Sequence, residues 1–156
     1  MNACPISFKS NYNPLMPKKL CTLDDKPIVG MCFNLGFNIQ KELPNFKDYP
    51  LASAESCADA IHTALHKGFI DKQVVKSVCD FGAGSGVPTF ILKNTFKLDD
   101  DNIVALNKEN IIKPGLLSDS SVIVGDGTEY LKSGAKQFDL VTACMLGPIS
   151  ERERAS

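Results

Sequence analysis

The sequence predicts an α/β fold built on an open parallel sheet with flanking helices. Two features carry this prediction. Short, continuously apolar runs, which are typical of buried parallel strands, alternate with segments whose apolar residues recur at helical spacing. A glycine-rich turn, Gly82 to Gly86, joins the first of these strands to the start of a helix. Open α/β sheets present their main chain to a ligand in this way.

Length and composition are those of one globular domain. The chain has 156 residues, of which 44% are apolar and 22% charged, and its formal net charge is −1. No apolar run reaches the roughly 18 residues of a membrane span, and the N-terminus lacks the pattern of a signal peptide. We therefore expect a cytoplasmic protein with no membrane partner. Because the basic residues are scattered, nucleic acid is a less favoured partner.

Cysteine and histidine spacing favours structural roles. No two cysteines are two or three residues apart, so reduced and mostly buried thiols are expected. His62 and His66 are four residues apart on a predicted helix, which is a metal-compatible spacing, but no third ligand is in register with them. No metal site is predicted. The cysteines are Cys4, Cys21, Cys32, Cys57, Cys79 and Cys144.

The chain divides into an irregular N-terminal arm, residues 1–50, and a cofactor-binding domain, residues 51–156. The arm contains six of the nine prolines, and its apolar residues do not recur at helical or strand spacing over any long stretch. Within it, 27–33 is predicted to be a short strand or a buried extended segment, and 39–43 a helical turn that ends before Pro44. An arm packed on the domain is favoured over a lid above the ligand cleft.

The domain is predicted to begin with a helix over 53–69, with Ser53 as N-cap and Gly68 at the C-terminal end. Strands and helices then alternate, which is the pattern of βαβ units. The predicted strands are 78–81, 103–106, 121–124 and 138–145, and the predicted helices between them are 87–96, 108–114 and 128–133.

The glycine turn has a specific sequence motif. Asp80 precedes Gly82, Gly84 and Gly86, so the order is an acidic residue, any residue, and then GxGxG. A dinucleotide fold uses GxGxxG instead, and its third glycine is replaced here by Val87. The run 78–89 resembles motif I of the class I S-adenosylmethionine-dependent methyltransferases, which have a Rossmann-like fold.

This resemblance implies S-adenosylmethionine as cofactor. That ligand carries an ammonium, a carboxylate, a ribose diol and an adenine, but no pyrophosphate. By the resemblance, Asp80 lies near the ammonium end, through water or backbone, and the turn Gly82, Ala83 and Gly84 lines the methionine part. The plainer alternative is that Asp80 caps the turn and the glycines only shape it.

Two further positions extend the resemblance. The family has an acidic residue at the end of the second strand that takes the ribose hydroxyls, but this chain has Asn107. An amide is a weaker acceptor than a carboxylate, so either binding is weaker, Glu109 reaches back, or the cofactor role has been lost. Asp126 followed by Gly127 matches the position that meets the adenine amino group, although Asp126 also fits a plain turn former.

The fourth strand shows no catalytic residue. The run 142–149 lacks the Asn/Asp-Pro-Pro-aromatic motif of amino-methylating nucleic-acid enzymes, so a protein or small-molecule acceptor is favoured. Methyl transfer can proceed by alignment of the reacting groups, so a missing base is acceptable. Cys144 is a disfavoured nucleophile.

The family's sheet continues beyond the fourth strand, whereas this sequence stops at Ser156. We expect a chain truncated on its C-terminal side, whose fourth-strand edge is covered by a second copy in a homodimer or by a completing chain. Two alternatives to a methyltransferase stay open. One is a methyltransferase-like binding or assembly module without catalysis, and the other is an NAD-dependent oxidoreductase, which Val87 disfavours.

Overall fold

The computed structural model describes residues 27–134 and 136–143. Its centre is a four-stranded sheet in which every neighbouring pair is parallel. This confirms the predicted open, Rossmann-like α/β arrangement with flanking helices. The strands are β1 (Val78–Phe81), β2 (Ile103–Asn107), β3 (Val122–Val124) and β4 (Leu140–Thr142). The helices are α1 (Pro27–Leu35), α2 (Ile39–Glu42), α3 (Ala52–His66), α4 (Val87–Phe96) and α5 (Gly127–Lys132).

The strand order is β3-β2-β1-β4. The central strands β1 and β2 pair in register from Val78 opposite Ile103, and Val78 also lies opposite Leu140 of β4. Every residue of β2 is buried. Burial on both faces of the sheet explains why these strands appear in the sequence as unbroken apolar runs.

Alternate side chains of the strands serve two separate apolar clusters. On one face, Val78 and Ile103 join a large cluster formed with α1, α3 and α4. On the other face, Cys79 and Val104 form a smaller cluster, against which Tyr130 of α5 packs. The larger cluster therefore provides most of the buried surface, and the helices before β1 are part of it.

The predicted strand over 27–33 is wrong, because this segment is helix α1. Most of its residues are buried, and it packs against α3. A helix that is apolar around its whole circumference has no amphipathic period, so its sequence cannot be told from a buried strand. The predicted turn at 39–43 is confirmed as α2, which Asn38 caps through its side chain.

Helix α3 confirms the predicted helix but not its cap. The helix begins at Ala52, and Leu51 occupies the N-cap position without a side-chain hydrogen bond. Leu51 packs on the large apolar cluster, so burial sets the start of the helix instead of the Ser53 hydroxyl. At the other end Gly68 has a left-handed φ of 77° and follows the C-cap, as predicted.

The connection between β2 and β3 also differs from prediction. Residues 108–118 contain no helix, although 108–114 was predicted to be one. The Lys113 amide instead donates to the Ser85 carbonyl over 2.8 Å, so a tertiary bond replaces a helical one. The other predicted strands and helices of the domain are confirmed to within two residues, except at two places. Helix α3 ends at His66, three residues before the predicted end, and β4 spans only 140–142. The predicted strand positions 144 and 145 lie outside the described residues.

Within the ranges described above, no helix is both long enough and apolar enough to cross a bilayer.

Lys97 provides a stability test of this fold. It follows α4 with φ 54° and ψ 53°, a left-handed conformation that disfavours any residue with a Cβ. We expect Lys97→Gly to raise the free energy of unfolding by about 1 kcal/mol, measured by urea denaturation. The matched control is Lys67→Gly at the C-cap of α3, where φ is −81°. That variant should be neutral or destabilised, and equal behaviour of the two variants would contradict the expectation.

Candidate functional site

The predicted site residues lie at one edge of the sheet. Because all strands are parallel, the segments that follow β1, β2 and β3 meet at the carboxyl edge. From β1 the chain moves outward through β2 to β3 and then returns to β4 on the opposite side of β1. This reversal is a topological switch point, where open α/β sheets bind ligands.

The glycine turn after β1 is a tightly bonded structure. Gly82, Gly84 and Gly86 have left-handed φ values of 70°, 61° and 95°. The amides of Gly82 and Ala83 both donate to the Leu106 carbonyl, over 2.9 and 3.2 Å, and the Gly86 amide donates to Ala83 over 3.1 Å. These donors are therefore used inside the protein and do not form an anion-binding nest.

The glycines of the turn face different surroundings. A Cβ at Gly86 would lie 3.1 Å from a methyl group of Ile112, so the β2–β3 connection packs closely there. A Cβ at Gly84 would meet nothing within 4 Å. The main chain at Gly84 is thus open to a ligand, and a side chain at this position would project into the space that such a ligand needs.

Asn107 at the end of β2 holds the turn in place. Its Oδ1 accepts from the Gly84 amide over 2.9 Å, and its Nδ2 donates to the Gly84 carbonyl over 3.0 Å. An amide side chain supplies both an acceptor and a donor, whereas a carboxylate at neutral pH only accepts. The presence of Asn107, where the methyltransferase family has an acid, is therefore explained by a bond to the turn.

Asp80 lies beneath the turn with 1% of its surface exposed. The Thr89 hydroxyl donates to its Oδ2 over 2.7 Å, and the Thr142 hydroxyl donates to its Oδ1 over 2.9 Å. The carboxylate therefore connects β1, α4 and β4. Burial raises its pKa to about 6, against the opposing effect of the two hydroxyl hydrogen bonds.

Asp126 and Gly127 lie at the end of β3. Asp126 is exposed and is the N-cap of α5, because its Oδ1 accepts from the Glu129 amide over 3.0 Å. A Cβ at Gly127 would lie 2.4 Å from the Phe81 ring, so this glycine is required by packing. The Gly125 amide donates to the Asn107 carbonyl over 2.8 Å, which joins this strand end to that of β2.

The structure thus brings the seven predicted residues to one edge of the sheet. The sequence prediction did not identify Thr89 and Thr142 as partners of Asp80. Thr89 is nine residues after Asp80 and within the glycine-turn motif, so the motif itself contained a signal. Thr142 is 62 residues away from Asp80, and only the pairing of β4 with β1 makes them neighbours.

A second hydrogen bond holds the β2–β3 connection. Its Pro114 carbonyl accepts from the Tyr49 hydroxyl over 2.9 Å, while Lys113 is bonded to Ser85. Tyr49 precedes α3, so the region before the sheet contacts the segment that borders the glycine turn.

The two histidines of α3 lie beside each other, and the described cysteines are buried. The rings of His62 and His66 are stacked with their centroids 6.2 Å apart, and no group of three metal-ligating side chains occurs in the described part of the chain. Burial raises the pKa of the Cys32 thiol, and burial together with the Asp80 charge raises that of Cys79 to about 12, so neither thiol is a ready nucleophile. Cys144 lies outside the described residues.

Comparisons with protein-family models, with curated proteins and with solved structures found no match.

The raised pKa of Asp80 predicts a pH dependence of stability. The folded protein holds the Asp80 proton up to about pH 6, whereas an ordinary Asp loses it near 3.8. The folded state therefore binds more protons between these values, and Asp80 should add stability as pH falls through this window, up to on the order of 3 kcal/mol. Urea unfolding at pH 7 and pH 4 measures this gain.

Asp80→Asn removes the titrating group and should make the stability of the variant less dependent on pH over this window. The control is Asp119→Asn at an exposed carboxyl, which should behave as the wild type does. A pH dependence that is the same in Asp80→Asn and in the wild type would exclude Asp80 as its source.

The Asn107 contacts predict a specific defect for the acid found in the family. Asn107→Asp places a carboxylate against the Gly84 carbonyl and removes one hydrogen bond, so we expect a loss of about 1–3 kcal/mol at pH 7. Relative to the wild type, this loss should shrink at acid pH, where a protonated Asp can donate again. Asn110→Asp, exposed on the β2–β3 connection, should have little effect in the same assay.

Proposed function

We propose that this chain is the cofactor-binding part of an S-adenosylmethionine-dependent methyltransferase of the class I, Rossmann-like type. The observation that supports this best is the glycine turn, which lies at the switch point of the sheet with an open main chain at Gly84. Its Asp-x-GxGxG spelling resembles the cofactor motif of that family.

The bonding of the turn favours this cofactor over a dinucleotide. A pyrophosphate needs free amides in the turn and at the helix N-terminus. Here the amides of Gly82, Ala83, Gly84 and Gly86 donate within the chain, and Pro88 removes another donor from the first turn of α4. An amino-acid ligand without phosphate requires only close approach to the main chain, which Gly84 permits.

The residues of the site fit the different parts of this cofactor. Gly84 would contact the methionine part, and Asp126 would accept from the adenine amino group. Asp80 is too buried for direct contact, so it would favour the ammonium through its charge and by fixing the turn. Because Asn107 is engaged with Gly84, we assign the ribose hydroxyls to Glu109, an exposed carboxylate two residues beyond β2.

When bound, the cofactor supplies an electrophilic methyl group, and the chain's role is to orient it toward the acceptor. We propose a protein or small molecule as acceptor, because the chain has a net charge of −1 and scattered basic residues.

The engagement of Asn107 also supports a second candidate function. A module that has exchanged an acid at the ribose position for an amide bonded to its own turn is consistent with a binding or assembly role without methyl transfer. An assay with labelled cofactor in a cell extract distinguishes the two candidates. Binding of S-adenosylhomocysteine without methyl transfer to any acceptor would favour the binding or assembly module.

Isothermal titration with S-adenosylhomocysteine tests the proposal. We expect binding by the wild type and at least about tenfold weaker binding by Gly84→Leu, whose side chain enters the ligand space. Gly68→Leu is the matched control, because Gly68 has a similar left-handed φ, 77° against 61°, and equally open surroundings, but it follows α3 and is not part of the glycine turn. Both variants should lose about 1–2 kcal/mol of stability from backbone strain.

Absence of heat with the wild type, or equal weakening in both variants, would contradict the proposal. Quenching of protein fluorescence by NADH, with none by S-adenosylhomocysteine, would favour the oxidoreductase instead.

A further inference from the structure

A second concave site lies at the opposite end of the sheet. It is a half-open cavity of about 460 Å³, within the size range of small-molecule sites. Lys76 lies two residues before β1 and Asn102 one residue before β2, so the cavity is at the amino edge. The glycine turn follows the other end of β1, about 13 Å away along the strand. We call this cavity the amino-edge cleft.

The charge of the amino-edge cleft is unbalanced. Three ammonium groups line it, those of Lys72, Lys76 and Lys97, against one carboxylate, Asp99, among the described lining residues. The lysines come from two separate segments of the chain, the one before β1 and the end of α4. Since the formal net charge of the whole chain is −1 and its other basic residues are scattered, this concentration of positive charge is a local feature.

Lys72 is seated by the backbone. Its Nζ donates to the Leu35 carbonyl at the end of α1 over 2.7 Å. A Cβ at Gly36 would lie 2.7 Å from the same Nζ, so the ammonium packs closely against this glycine, whose φ is 104°. Burial lowers the pKa of Lys72, and the Lys97 charge lowers it further. The two cations therefore repel each other, and an anion between them would relieve that repulsion.

Lys97 has an unfavourable backbone conformation. Among the described residues it is the one non-glycine residue with a positive φ, at a position where helices usually have glycine. The Lys93 carbonyl accepts from the Lys97 amide and from the Leu98 amide, the latter over 3.0 Å. This end of α4 requires a residue in the left-handed conformation, which glycine would adopt without strain. A strained residue is often retained for function.

We propose that the amino-edge cleft binds a small, soluble polyanion that carries phosphate groups, with Lys72, Lys76 and Lys97 neutralising its charge. A phosphate group carries close to two negative charges, and lysine binds it as a point charge from several directions. The side-chain amide of Asn102 adds a hydrogen-bond donor, and Phe96 and Leu98 provide an apolar wall for the organic part of the ligand. A concave site of this size suits a small molecule better than the extended backbone of a nucleic acid.

Isothermal titration with inorganic pyrophosphate at low ionic strength tests this site. We expect one site per chain in the wild type, and binding weakened by about tenfold or more in Lys97→Gly and in Lys76→Gln. Lys97→Gly retains the fold because glycine suits the left-handed conformation. Lys76→Gln leaves the backbone bond from its amide to Asp139 in place.

Lys47→Gln, at an exposed lysine away from the cleft, is the control and should bind as the wild type does. The proposal would be overturned if the wild type did not bind pyrophosphate or if the control bound it as weakly as the cleft variants. It would also be overturned if Lys97→Gly and Lys76→Gln both bound pyrophosphate as tightly as the wild type. A single-stranded oligonucleotide that displaces pyrophosphate and binds more tightly would overturn it as well. Binding of S-adenosylhomocysteine should be unchanged in Lys97→Gly, since the amino-edge cleft does not depend on the function proposed for the carboxyl edge.

Discussion

The buried carboxylate of Asp80 is the interaction on which the rest of the site depends. A charge with 1% exposure is costly unless it is hydrogen bonded. Thr89 and Thr142 provide the hydrogen bonds, and they lie on the helix that follows the glycine turn and on the strand across the switch point. The need to satisfy one carboxylate thereby fixes three elements relative to one another.

The turn above Asp80 is a preformed platform. The amides of its three glycines and of Ala83 are bonded to Leu106, Ala83 and Asn107, so a ligand would meet a rigid main chain and would not have to order it. Preorganisation lowers the entropic cost of binding. The same bonding separates this turn from the glycine loops that cradle phosphates, which keep their amides unpaired for the ligand.

Sequence patterns predicted the parts of the fold that are governed by local rules. The strand–turn–helix unit 78–96 was predicted correctly because glycines at left-handed positions and a buried strand leave clear signatures. Helix α1 was missed because its apolar residues follow one another almost without a break, which leaves no amphipathic period. The helix predicted at 108–114 does not form, since this segment makes long-range hydrogen bonds to Ser85 and Tyr49.

In the candidate site, too, sequence patterns predicted some features and tertiary contacts determine the others. The strand pattern and the resemblance to the methyltransferase family placed its seven residues at the strand ends, but the hydrogen-bond partners of these residues depend on tertiary contacts. The Asn107 side chain was expected to face a ribose, and its reciprocal bond with Gly84 follows only from the pairing of β2 beside β1. The contact of Gly127 with the Phe81 ring likewise reflects packing between two strand ends, which no local pattern encodes.

The β2–β3 connection has a consequence for how the site can change in evolution. Its later part is fixed by Lys113 and Pro114, whereas the stretch 109–111 is exposed. Exposed loop tips accept insertions more readily than bonded segments do. Related chains could therefore lengthen or shorten 109–111 and so resize the rim beside Gly84, while the sheet, the turn and the buried carboxylate stay unchanged.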